Sequence, residues 1–96
     1  MIKHTVMYKL KDSSPEACEK AKEMLMSMSG KVEQLKSIYV GIDTLRSERS
    51  FDLILDCVFE DLEGLRSYKS HPYHASTVKP YMHSVFEKSV SVDSEF

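Results

Sequence analysis

Residues 51–60, FDLILDCVFE, form the clearest strand pattern in the chain. Every odd-numbered position in this segment is apolar, whereas the even-numbered positions alternate between acidic and aliphatic side chains. A period of two residues is that of a β-strand, whose successive side chains point to opposite faces of a sheet. The segment therefore predicts a strand with one fully apolar face and one half-apolar face.

Three other segments also show strand patterns. A short strand is predicted over residues 37–43, where the sequence is SIYVGID. Residues 1–11 alternate like residues 51–60, and the apolar side of this first strand carries Ile2, His4, Val6, Tyr8 and Leu10. A final strand is predicted over residues 84–92, and one of its faces is expected to carry Phe86, Val90 and Val92.

A helix is predicted between the first two strands. Ser13 or Ser14 can cap its N-terminus, Pro15 suits its first turn, and Gly30 is expected at its C-terminal end. Between these ends, apolar residues recur at helical spacing, at Ala17, Ala21, Met24, Leu25 and Met28.

A second helix is predicted after residues 51–60, with Asp61 as its N-cap. Its inward face is expected to carry Leu62, Leu65 and Tyr68. Pro72 disfavours a helical conformation at the preceding residue, so the helix should break at His71. A further short helix should then bury Ala75, Val78, Tyr81 and Met82.

The resulting order is β-α-β-β-α-β, which predicts a single α+β domain over residues 1–96 with a ferredoxin-like fold and a four-stranded antiparallel sheet. Helices cover one face of such a sheet. The other face is expected to mix apolar and charged side chains, namely Thr5, Met7, Ile54, Val58, Lys9, Asp52 and Asp56. A half-apolar sheet face commonly binds a partner, so we predict a homodimer formed sheet against sheet.

Composition excludes several classes of protein. Basic residues number 13 and acidic residues 15, and the basic ones are scattered, so no nucleic-acid partner is expected. No apolar run exceeds three residues, which argues against a signal peptide and a membrane partner and favours a cytoplasmic protein. Cys18 and Cys57 lie in predicted core elements, so both are expected to be buried, reduced thiols.

The histidines and one tyrosine are the residues best suited to chemistry. Tyr68 and His74 lie six residues apart across the Pro72 break, where a neutral imidazole could act as a base and a phenol could donate to a developing oxyanion. The alternative is a purely structural helix break. The position of His4 on an apolar face favours a core histidine bonded to a backbone carbonyl over a functional residue.

A metal site is the third possibility. It would combine His71 and His74 with His4 or His83, but Pro72 prevents the first two from sharing one regular helical face. The chain has no glycine-rich phosphate loop and no nucleophile-elbow motif. We therefore expect no metal and no cofactor.

Several segments resemble the Dabb family, the stress-responsive dimeric α/β barrel domains. Residues 1–4 and 9–12 resemble the two ends of the family's first strand. Residues 50–53 and 59–63 resemble its third strand and the turn that follows. The most specific match is YKSHPYH over residues 68–74, which is similar to the family's Y-x-x-H-P-x-H signature.

The resemblance implies a homodimer whose two sheets close into one barrel, with a small pocket between sheet and helices in each subunit. In a plant polyketide cyclase of the family, the equivalent His and Tyr serve as an acid/base pair, which would assign catalytic roles to His74 and Tyr68. The pocket lining is then expected to include His4, Val6, Tyr8 and His71. Tyr73 and residues 75–77 depart from the family's usual pattern, so a different pocket lining is expected.

Three functions follow as hypotheses. The first is a homodimer that binds a small organic molecule and performs cyclase-like acid/base chemistry. The second is a non-catalytic stress-responsive or assembly module. The third is a cofactor-free monooxygenase-like barrel, which needs a large apolar cavity. The geometry of the pocket discriminates between them.

Overall fold

The computed structural model of the protein describes all 96 residues and confirms the ferredoxin-like α+β fold. The strands are β1 (Ile2–Leu10), β2 (Ser37–Ile42), β3 (Leu53–Phe59) and β4 (Phe86–Glu95). The α-helices are α1 (Pro15–Met26), α2 (Leu62–Ser70) and α3 (Lys79–Val85), and a π-helical turn, His74–Val78, leads into α3. The sheet has the order β2-β3-β1-β4, and every neighbouring pair is antiparallel.

In the two central strands, β1 and β3, buried and more exposed side chains alternate, so one face of the sheet is packed in the core and the other is open. The odd-numbered residues of β3 and the even-numbered residues of β1 are buried, as their patterns predict. They form the core together with residues from the helices, including Leu25, Leu65 and Met82. Cys18 and Cys57 are both free and buried, and burial raises the pKa of the Cys57 thiol to about 12.

Helix α1 begins as predicted but ends early. Ser14 is the N-cap, and its hydroxyl accepts a hydrogen bond from the backbone N–H of Ala17 at 3.3 Å. The helix ends at Met26, four residues before the predicted cap, Gly30. Gly30 instead adopts a φ of +82° in the turn that follows, a conformation that glycine adopts without steric cost.

Helix α2 has the predicted N-cap, but one residue that was predicted to lie in the core is exposed. The Asp61 carboxylate accepts a hydrogen bond from the N–H of Gly64 at 2.9 Å. Leu65 and Tyr68 are buried, but Leu62 is 49% exposed because it lies in the first turn of the helix, beyond the cover of the core. Beyond the break, Val78 and Met82 are buried as predicted, whereas Ala75 is exposed and Tyr81 is only half-buried.

The last strand differs from its prediction, because Phe86 does not share a face with Val90 and Val92. It begins at Phe86 rather than residue 84 and continues to Glu95. A register shift opposite Lys9 and Leu10 pairs Leu10 with Phe86 and Met7 with Val90. Phe86 therefore lies on the helical side, against Tyr8 with ring centroids 5.5 Å apart, while Val90 and Val92 lie on the open face.

The open face is more apolar than predicted. Met7, Val90, Val92 and Tyr39 are all substantially exposed there, beside half-buried Ile54. No helix covers this side of the sheet, since the core residues belong to the other face. No helix in the protein has both the length and the apolar character that crossing a bilayer demands.

Asp52 does not lie on the open face as predicted but is buried. Its carboxylate accepts a hydrogen bond from the N–H of Leu10 at 2.7 Å and pairs with the Arg46 guanidinium at 3.1 Å. Arg46 also donates to the carbonyl of Ser13 at 3.0 Å. The loop between β2 and β3 thus folds over Asp52 and ties β1, β3 and the start of α1 together.

Replacing Asp52 with Ala should lower the free energy of unfolding by about 2 kcal/mol, because it leaves the Leu10 N–H buried without an acceptor. Asp52→Asn keeps an acceptor and should cost less. Urea denaturation measures both, with Glu48→Gln, an exposed acid in the same loop, as the control. An Asp52→Ala variant as stable as Glu48→Gln would contradict the role given to this carboxylate.

Candidate active site

A cleft lies between the sheet and the segment that runs from α2 to α3. Its volume is about 350 Å³, at the lower end of the range usual for small-molecule sites. β1 and β4 form one wall, and α2, the π turn and α3 form the other, with Leu25 from α1. The fourteen lining residues are His4, Val6, Tyr8, Leu25, Tyr68, Lys69, His74, Val78, Lys79, Met82, His83, Phe86, Ser89 and Ser91.

The helix break brings Tyr68 and His74 together. Tyr68 lies in the last turn of α2, and His71 then adopts an extended conformation, with ψ at 134°, before Pro72. The chain re-enters helical geometry in the π turn that begins at His74. As a result the rings of Tyr68 and His74 lie against each other, with centroids 4.4 Å apart.

His74 presents one free ring nitrogen. Its Nδ1 lies 3.2 Å from the carbonyl oxygen of Lys69, so Nδ1 carries the hydrogen and donates it. Burial lowers the pKa of His74, and so does the positive charge of Lys79. The hydrogen bond to the Lys69 carbonyl has the opposite effect but does not outweigh them. The imidazole is therefore neutral near pH 7, with the lone pair on Nε2 available to accept a proton.

Tyr68 is held on both sides by other rings. It is only 2% exposed, and its ring centroid lies 5.0 Å from that of Phe59 and 5.9 Å from that of His4. Burial raises the pKa of Tyr68, so the phenol keeps its proton. Its hydroxyl forms no hydrogen bond within the protein. The hydroxyl oxygen nevertheless keeps some contact with solvent. It is thus a donor available to a molecule in the cleft.

His4 is paired with a carboxylate that the sequence pattern does not reveal. Its Nδ1 forms a hydrogen bond with the carboxylate of Asp93 of β4, directly opposite it in the β1–β4 register. The alternative partner considered above, a backbone carbonyl, is therefore wrong. The prediction missed Asp93 because it ended the last strand at residue 92. Continuing the predicted alternation by one residue would still have placed Asp93 on the face opposite Phe86, and it is the register shift at Lys9 and Leu10 that brings Asp93 to the face of His4.

His71 does not line the cleft, contrary to expectation. Its Nδ1 accepts a hydrogen bond from the N–H of Tyr73 at 3.1 Å, and its Nε2 lies 3.4 Å from the Glu33 carboxylate. The extended backbone at the end of α2 turns this ring away from Tyr68 and toward the turn after α1. The other predicted lining residues, His4, Val6 and Tyr8, do lie on the cleft wall with Tyr68 and His74.

The rest of the polar lining consists of lysine, histidine and serine side chains. Lys69, Lys79 and His83 line the cleft together with Ser89 and Ser91, and no Asp or Glu does. Burial raises the pKa of Tyr8 to about 12, so this phenol is also protonated. Nowhere in the protein do three His, Cys, Asp or Glu side chains converge in an arrangement that could hold a metal ion.

The sequence model of one protein family, the stress responsive A/B barrel domain (Dabb), matches residues 2–96. The chain belongs to the Dabb family. No curated protein matches this Dabb chain.

Solved structures similar to this Dabb protein share its whole fold. A dimeric ferredoxin-like protein of Bacteroides fragilis is 26% identical, with 99% of this chain and 95% of that chain covered and a TM-score of 0.84. A protein of Arabidopsis thaliana is 22% identical, with 100% and 95% covered and a TM-score of 0.86. The hydroxynitrile lyase of Passiflora edulis is 13% identical, with 97% and 90% covered and a TM-score of 0.83.

Proposed function

We propose that this Dabb protein is a homodimer that binds a small organic molecule in each cleft and removes a proton from the carbon next to a carbonyl group. The observation that carries the proposal is the pairing of two groups in one cleft. His74 has a free Nε2 and a lowered pKa, and the adjacent Tyr68 is a protonated phenol without a partner.

The two groups suit complementary parts of one step. His74 Nε2 accepts the proton from the carbon, the electron pair of the broken C–H bond forms a carbon–carbon double bond, and the π pair of the carbonyl moves to its oxygen to give an enolate. The Tyr68 hydroxyl donates a hydrogen bond to that oxygen as its negative charge grows. The enolate can then take a proton back, or attack a second carbonyl in the same molecule and close a ring, which is the cyclase-like outcome.

The His4–Asp93 pair supports the same site from the sheet side. The Asp93 carboxylate holds the Nδ1 hydrogen of His4, which leaves His4 Nε2 free, and the His4 ring packs edge-on against Tyr68. This contact, together with that of Phe59 on the same ring, restricts the movement of the Tyr68 ring within the cleft wall.

The homodimer is supported by the open face of the sheet. Met7, Ile54 and Val90 are neighbours in the register and form a band of apolar side chains across β1, β3 and β4, which Val92 extends along β4. Related solved structures are described as dimeric ferredoxin-like proteins. A second copy that presents the same band would remove both bands from water.

Two other functions have weaker support. A monooxygenase-like barrel needs a large apolar cavity, whereas half of the residues that line this small cleft are polar. In a non-catalytic module the helix break would be purely structural, and nothing would require an unpartnered Tyr68 hydroxyl beside a free histidine nitrogen.

Hydrogen–deuterium exchange tests the proposed reaction. Methyl ketones from acetone to acetophenone would be incubated with the protein in deuterated buffer, and loss of the methyl proton signal would be followed by NMR. We expect at least one ketone to exchange faster with protein than in buffer of the same pH. If none did, and no ketone shifted the melting temperature, the non-catalytic module would be favoured instead.

A further inference from the structure

The cleft is positively charged although the chain has a net charge of −2. Lys69 and Lys79 line it, and none of the lining residues is acidic. Neither lysine forms an ion pair, because all six pairs in the protein involve other side chains. The carboxylate of Asp93 is already bound to His4. Two unpaired ammonium groups at one cleft therefore favour a negatively charged ligand.

The rest of the lining defines the shape of that ligand. Val78, Met82 and Phe86 form an apolar part of the lining, together with Val6 and Leu25. A ligand that contacted both this apolar surface and the two lysines would have a compact apolar body and a charged end. No glycine lines the cleft, so it lacks the glycine-rich loop of backbone N–H groups that typically cradles a phosphate.

We infer that the ligand of this site is a small carboxylate, whose apolar body packs against Val78, Met82 and Phe86 and whose carboxylate group binds Lys69 and Lys79. The inference rests on the proposed function for its location and adds the chemical class of the ligand. Carboxylate and ammonium groups form charge-assisted hydrogen bonds, which fix orientation as well as add affinity.

The position of the two lysines links binding to the reacting groups. Lys69 is the residue whose carbonyl holds His74 Nδ1, and the charge of Lys79 acts on the same imidazole. A carboxylate held by these lysines would therefore lie close to His74, with the neighbouring carbon atoms of the ligand within the cleft.

Benzoate and benzamide form a matched pair of probes, because they share a phenyl ring and a planar head and differ in charge. Binding would be measured by NMR from amide shifts of Val78, Ser89 and Ser91. We expect benzoate to bind about tenfold more tightly than benzamide, and only benzoate binding to weaken when the ionic strength is raised. Inorganic phosphate, which lacks an apolar body, should bind more weakly than benzoate.

Lysine variants locate the charge. Lys69→Gln and Lys79→Gln should each weaken benzoate binding about threefold, and the double variant about tenfold, with benzamide binding unchanged. Lys20→Gln, which removes the same charge from an exposed position on α1 outside the cleft, should change benzoate binding less than twofold.

Equal binding of benzoate and benzamide, or a double variant that binds benzoate like the wild type, would overturn the carboxylate inference. So would phosphate binding as tight as that of benzoate. If neither aromatic probe bound while methyl ketones still exchanged, the inference would fail and the proposed function would stand. If binding and exchange were both absent, the two would fail together.

Discussion

His74→Ala is expected to return the exchange of a methyl ketone to the rate of buffer, a loss of about 10²-fold or more, because the variant lacks the base. Tyr68→Phe removes one hydroxyl and keeps the ring that packs between Phe59 and His4. It should slow exchange by about 10²-fold, the usual cost of losing a donor to a developing oxyanion, with little change in the free energy of unfolding.

Tyr73→Phe is the matched control for this pair. The Tyr73 hydroxyl bonds to Ser27 at 2.6 Å, and Tyr73 does not line the cleft, so its loss should leave the exchange rate within about twofold of wild type. Exchange is measured by NMR at several pH values for all four proteins. Wild-type rates in His74→Ala would contradict the assignment of the base.

Ile54→Asp is expected to convert the homodimer into a monomer. Ile54 lies on β3 opposite Met7 of β1, at the centre of the open face. A sheet-to-sheet dimer would bury this position in both copies, so the variant would place two carboxylates in an apolar interface. Burying an unpaired charge costs several kcal/mol, enough to dissociate a dimer at micromolar concentration.

Light scattering coupled to size exclusion measures the change. The wild type should have about twice the mass of the 11.0 kDa chain, and Ile54→Asp should have the mass of a single chain. Leu45→Asp introduces the same charge at an exposed loop residue and should remain dimeric. A monomeric wild type, or a dimeric Ile54→Asp with an intact circular dichroism spectrum, would contradict the proposed interface.

The parts of the fold that the sequence predicted are those determined by local periodicity. Alternation in β1 and β3 is strong because one face of each strand is buried along its whole length. The caps at Ser14 and Asp61 and the break before Pro72 depend on backbone chemistry within a few residues. The spacing of Tyr68 and His74 across that break allowed them to face the same space but did not require it, and the backbone at His71 decides their proximity.

The parts that the sequence could not predict depend on contacts between distant segments. Asp52 continues the alternation of β3, but a loop that carries Arg46 folds over it. The register shift at Lys9 and Leu10 moves Phe86 to the face opposite Val90, and no local pattern marks that shift. The pairing of His4 with Asp93 joins the two ends of the chain, 89 residues apart.

NMR of the histidine ring nitrogens tests the central claim most directly, because two-bond ¹⁵N–¹H correlations distinguish the two neutral tautomers of each imidazole. For His74 we predict hydrogen on Nδ1, a bare Nε2, and a pKa below the ordinary value of 6.5. The signals are assigned with His74→Ala. Hydrogen on Nε2 in the neutral form, or a pKa at or above 6.5, would contradict the account of His74 as the neutral base beside Tyr68.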